Sequence, residues 1–131
     1  MTTLRGQFAV AAWDENAYLE RDGERKLTRA SVGQTFTGDL TGSGTVEWLM
    51  SYGEDGTARF VGLQHIESDA DGRNGTVVVE TAGDFDGQKA AGSWTVVPGS
   101  GTGDLEGMAG TGTFEAPLGG TPSYTLDATF G

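Results

Sequence analysis

The sequence predicts an all-β fold, a single antiparallel up-and-down β-barrel of about eight strands formed by one domain over residues 1–131. Three observations carry this expectation. Apolar and polar residues alternate with a period of two along most of the chain, as in strands that bury one face. The alternating stretches are short and are separated by clusters of Gly, Asp, Asn and Ser, the residues that turn chains. Gly supplies 23 residues against only 3 Pro and shows no collagen period, a bias toward tight turns.

The first alternating stretch is GQFAVAAW at residues 6–13. DENAYLERDGERKL follows at 14–27, where Gly23 and the dense charge predict a long loop. RASVGQTFTG at 29–38 reads as a strand, and GDLTGSG at 38–44 as a turn cluster. The clearest alternation is TVEWLMSY at 45–52, with Val46, Trp48, Met50 and Tyr52 on one face and Glu47 and Ser51 on the other. GEDG at 53–56 turns this strand into TARFVGLQHIES at 57–68, its antiparallel neighbour. DADGRNG and DFDGQK flank GTVVVETAGDF at 75–85, and AGSWTVV, GTGTFEA and SYTLDATF complete the series. A sandwich with Greek-key connections is the second architecture open to such a pattern. Even hairpins and the removal of exposed edges by closure favour the barrel.

Composition narrows the function. Eight Lys and Arg stand against 19 Asp and Glu, a formal charge of −11, which repels nucleic acid and anionic membranes. There is no Cys, so disulfides, thiolate zinc sites and a cysteine nucleophile are excluded. His65 is the only histidine and lies on the outward face, beside Gln64. No metal or organic cofactor is expected. Ser31, Ser51 and Ser93 lack a nucleophile-elbow motif. The N-terminal apolar piece is too short for a signal peptide, so a cytoplasmic protein is expected.

The glycine-rich run VVPGSGTGDLEGMAGTG at 96–112 has neither the lysine nor the following helix that a phosphate-binding loop needs. It reads as a connection between two barrel strands, with Leu105 and Met108 tucked inward as a plug.

Together with LTRASVGQTFTGDLTGSGTVEWLM, FVGL and GRNGTVVVE, this run resembles the bacterial domain-of-unknown-function family numbered 3224, over nearly the whole chain. The resemblance implies a small calycin-like barrel similar to that of allene oxide cyclase, and no established activity. In the family pattern a glutamate often stands at the place of Gln64 and a histidine at that of Thr81. Both positions are neutral here, which weakens the case for proton-transfer chemistry.

The candidate site follows from the inward phase. Trp48, Tyr52, Trp94 and Tyr124 would line a lumen in which Gln34, Gln64 and Thr81 are the polar handles. Gln34 and Gln64 each bind a ligand or satisfy one another, because an unpaired buried amide costs about 1–3 kcal/mol. Two functions fit this interior. One is a barrel that binds a small apolar or amphipathic molecule. The other is a cofactor-free cyclase or isomerase that folds its substrate by shape. A filled barrel acting through its outer surface, or as an assembly of identical copies, also fits.

Overall fold

A computed structural model describes all residues, Met1–Gly131. Eight strands form a closed barrel in chain order: β1 Thr2–Leu19, β2 Lys26–Gly38, β3 Leu40–Tyr52, β4 Ala58–Ala70, β5 Arg73–Phe85, β6 Lys89–Val96, β7 Ala109–Pro117 and β8 Ser123–Thr129. Each pairs antiparallel with the next, and β1 closes on β8. The only helix is a single 3₁₀ turn at Gly103–Leu105. The hairpin between β4 and β5 shows how the turns are made. Ala70 pairs with Arg73, and Asp71 and Gly72 both take left-handed φ, 53° and 87°, which the twist of a two-residue hairpin demands.

The inward phase is the expected one. Val46, Trp48 and Met50 are buried on β3, while Glu47 lies outside and accepts hydrogen bonds from Ser31 and Arg29. His65 is exposed.

Residues 14–27 do not form the expected long loop. β1 continues through Asp14–Leu19 and β2 begins at Lys26, which leaves only a short turn between them. Register shifts at Val10/Ala12 and Ala17/Leu19 are bulges that reset the alternation, and so they hide the strand from a period-two reading. The turn clusters are also shorter than their composition implies. Gly42 and Gly44 lie inside β3, and Asn74 and Gly75 inside β5.

These strand glycines have a packing reason. Across the ladders Tyr124 faces Gly6, Phe36 faces Gly42, Trp48 faces Gly62, Phe60 faces Gly83, Phe114 faces Gly92 and Trp94 faces Gly112. Each of these six rings thus stands opposite a residue without a side chain; Phe8, the seventh buried ring, pairs with Phe36. The fit is close: a Cβ on Gly92 would sit 2.9 Å from Phe114 ring carbons, and one on Gly6 would sit 2.4 Å from the Tyr124 hydroxyl. The rings form one network, with centroid separations from 5.1 Å for Trp48–Phe60 to 6.4 Å for Phe8–Phe114.

The strands are unequal. β3, β4 and β5 have 13 residues each, whereas β6 has 8 and β8 has 7. Ladder pairing between β5 and β6 reaches only Val79 and Val96, and the glycine-rich loop continues along β5 in place of the missing strand. Val97 N donates to Val78 O, Thr102 N to Thr76 O and Asn74 N to Asp104 Oδ2. Leu105 and Met108 plug that end, both buried, as expected. The loop's glycines therefore serve a connection; Gly99, Gly103 and Gly107 have positive φ.

Replacing Gly92 by Ala should overpack the lumen against Phe114 and the Ala82 carbonyl. The expected loss is about 1–3 kcal/mol in urea unfolding, with the strand content unchanged by circular dichroism.

Candidate functional site

The lumen divides into a filled part and an open end. In the filled part Trp94 stacks on Tyr124 at 5.5 Å and 24°, and Phe36 meets both rings edge-on. The Tyr124 hydroxyl accepts from Leu40 N at 2.9 Å and donates to Thr37 O at 2.8 Å, which ties β8 to the turn between β2 and β3. Burial pushes its pKa up. Gln64 Nε2 donates to Gln34 Oε1, so the two amides satisfy one another. Gln64 is only 1% exposed.

The open end lies where β1 outruns β8. Pairing between them stops at Gln7 and Ser123, and only the bond from Phe8 N to Pro122 O extends it. Beyond that point β1 has β2 alone as neighbour. Val10 stands opposite buried Gln34, and Trp13 opposite buried Val32, so both side chains lie on the inner face. Yet they are 49% and 46% exposed. Trp13 lies 5.9 Å from Trp48, whose ring is buried. This mouth is an apolar inner wall open to solvent.

Glu15, two residues on, shares the inner face with Trp13. Its carboxylate accepts hydrogen bonds from Thr28 Oγ1 at 2.6 Å, Tyr52 OH at 2.5 Å and Trp13 Nε1 at 3.0 Å. Burial works to raise its pKa, but the bonds from Thr28, Tyr52 and Trp13, with the nearby Lys26 charge, outweigh burial and hold it below the ordinary carboxylate value. Burial and the Glu15 carboxylate together push Tyr52 up to about 12. The Lys26 ammonium sits 4.9 Å over the Tyr52 ring. A carboxylate held by three donors is a weak base, and a phenol so held is a weak acid. The cluster therefore anchors the rim and orients Trp13 rather than moving protons.

Of the residues expected from sequence, Trp48 meets Trp13 and Tyr52 reaches Glu15, so both lie at this mouth, whereas Thr81 on β5 is buried across the ladder from Trp94. Trp94 and Tyr124 belong to the filled network, and Gln34 and Gln64 to each other. Val10 and Trp13 lie in the expected strand over 6–13, but the bulge between Val10 and Ala12 hides their inward phase, and Glu15 falls in the segment expected as a loop. The spacing of Trp13, Glu15 and Ala17 is the signal that would have found them.

Residues 4–128 match the family model described as Protein of unknown function (DUF3224). A crystal structure of a protein with unknown function from that family, from Shewanella oneidensis MR-1, matches this chain with a TM-score of 0.85 at 30% sequence identity. The match covers 100% of this chain and 98% of that one. A search of curated proteins finds no match.

Titration tests the Glu15 cluster. Folded Glu15 stays ionised to lower pH than the unfolded chain, so its stabilisation is present above about 4.5 and is lost as pH falls below that value. Tyr52 keeps its proton when folded after the unfolded chain begins to lose it, so stability falls as pH climbs from about 10 toward about 12. Glu15→Gln should flatten the acid limb of a melting-temperature profile. It should also bring phenolate absorbance of Tyr52, assigned with Tyr52→Phe, to lower pH.

Proposed function

This chain belongs to the DUF3224 family, and on that premise we propose that it is a binding protein whose barrel takes a small apolar or amphipathic molecule at its mouth. The observation that carries this reading is the half-exposed inner wall of Val10 and Trp13 beside Trp48. Apolar side chains on the inner face of a barrel are normally buried, and concave apolar surface with a few fixed polar groups is the usual build of a ligand site. The filled aromatic network beneath confines the ligand to the mouth. Its walls are Val10, Trp13, Trp48 and Met50, and the Glu15–Tyr52–Thr28 cluster fixes the rim. No free acid or base faces this space, which favours binding over isomerisation. The charge of −11 disfavours phosphate-rich partners, so the ligand is neutral or cationic, and neither metal nor organic cofactor takes part.

Titration with N-phenyl-1-naphthylamine, a neutral apolar fluorophore, tests the site. Probe fluorescence should rise and tryptophan emission should fall saturably. Trp13→Ala should weaken binding about fivefold or more, since one aromatic wall contributes about 1 kcal/mol. Circular dichroism should be unchanged. Equal affinity in Trp13→Ala would contradict the placement at the mouth.

A further inference from the structure

The geometry points to a hydrogen-bond acceptor on the bound molecule, a carbonyl or hydroxyl oxygen, received by Trp48 Nε1 and Thr81 Oγ1. This rests on the mouth being a ligand site. Both atoms are buried and have no protein partner. Trp48 is 9% exposed and Thr81 2%. They lie on either side of Gly62, which pairs with Trp48 on one strand and with Thr81 on the other and projects no side chain of its own, while Trp94 stands across from Thr81. Trp48 Cδ1 comes within 2.7 Å of where a Gly62 Cβ would stand, which lays the indole edge that carries Nε1 over the glycine. Other polar groups at this level are paired, Thr28 with Glu15 and Gln64 with Gln34. Ser68 Oγ, also without a partner, lies toward the far end opposite Gly42.

Buried polar groups in folded proteins are nearly always paired. An indole N–H can only donate, and a threonine hydroxyl donates or accepts, so the group that completes both must offer a lone pair, as a carbonyl or hydroxyl oxygen does. Trp48 touches the open wall through Trp13, so the oxygen enters from the mouth along the indole and reaches Thr81 at the edge of the filled network, beside Trp94. Glu15 stands in the same row, across Ala30 from Trp48, and disfavours an anionic oxygen. The ligand class is a small, neutral, mostly apolar molecule with one ketone, ester, amide or alcohol oxygen.

Displacement of N-phenyl-1-naphthylamine by 2-acetylnaphthalene and by 2-ethylnaphthalene, similar in size and differing in the oxygen, provides the test. The ketone should displace the fluorophore at about fivefold lower concentration. Thr81→Val should shrink that advantage and leave 2-ethylnaphthalene unaffected. Without ligand, Thr81→Val should melt at a higher temperature than the native chain, because an unpaired hydroxyl is removed. Equal displacement by both molecules overturns the acceptor and leaves the mouth standing. A lower melting temperature for Thr81→Val shows the hydroxyl already paired, and it too overturns the acceptor. Failure of the fluorophore to bind overturns both readings.

Discussion

Large rings packed over bare backbone are the constraint from which the barrel's interior follows. An eight-stranded barrel has room for side chains and little else. Placing Phe36, Trp48, Phe60, Trp94, Phe114 and Tyr124 in one such space is feasible only because each faces a glycine across a ladder. A strand-interior glycine costs about 0.5–1 kcal/mol in backbone entropy. A buried ring gains more, by removing roughly 150–250 Å² from water and by edge and offset contacts with its neighbours. Glycine here is a packing partner as much as a turn residue.

Inequality among the strands sets where the barrel is closed and where it is open. β6 and β8 are short, and at one end the glycine-rich loop takes over the unpaired part of β5 with Leu105 and Met108 as its plug. At the other end nothing replaces β8 beside β1. Bulges let β1 keep pairing with β2 while its inner face turns toward Trp48, and Glu15 gathers Trp13, Thr28 and Tyr52 into one polar rim. The asymmetry thus produces a packed lumen and an open apolar wall in the same small domain.

The fold was legible because its signals are local. Alternation on β3 through Trp48 and Met50 gave the strand, its phase and its outward Glu47, and the glycine run identified itself as a connection by lacking a lysine and a helix. The site was less legible. Period-two reading fails at a bulge, so the strand over 6–13 carried no sign that Val10 and Trp13 share the inner face, and residues 14–27 read as a charged loop. The pairing of Gln34 with Gln64 was one of two outcomes that a sequence could pose without choosing, because it depends on the gap above Gly44 that lets one amide reach the other. Nor could pattern alone show that the Tyr124 hydroxyl is committed to the β2–β3 turn, a contact made over Gly6 of β1.

The central claim is that rings over glycines close the middle of the lumen and leave only the mouth to a ligand. Fluorine NMR of the chain labelled with 5-fluorotryptophan addresses it directly, because the three tryptophans sample the rim, the upper wall and the filled network. With the resonances assigned by single Trp→Phe substitutions, addition of a neutral aromatic ligand should shift Trp13 and Trp48 far more than Trp94. A shift of Trp94 as large as that of Trp13 would show the ligand reaching through the ring network, and would contradict the account.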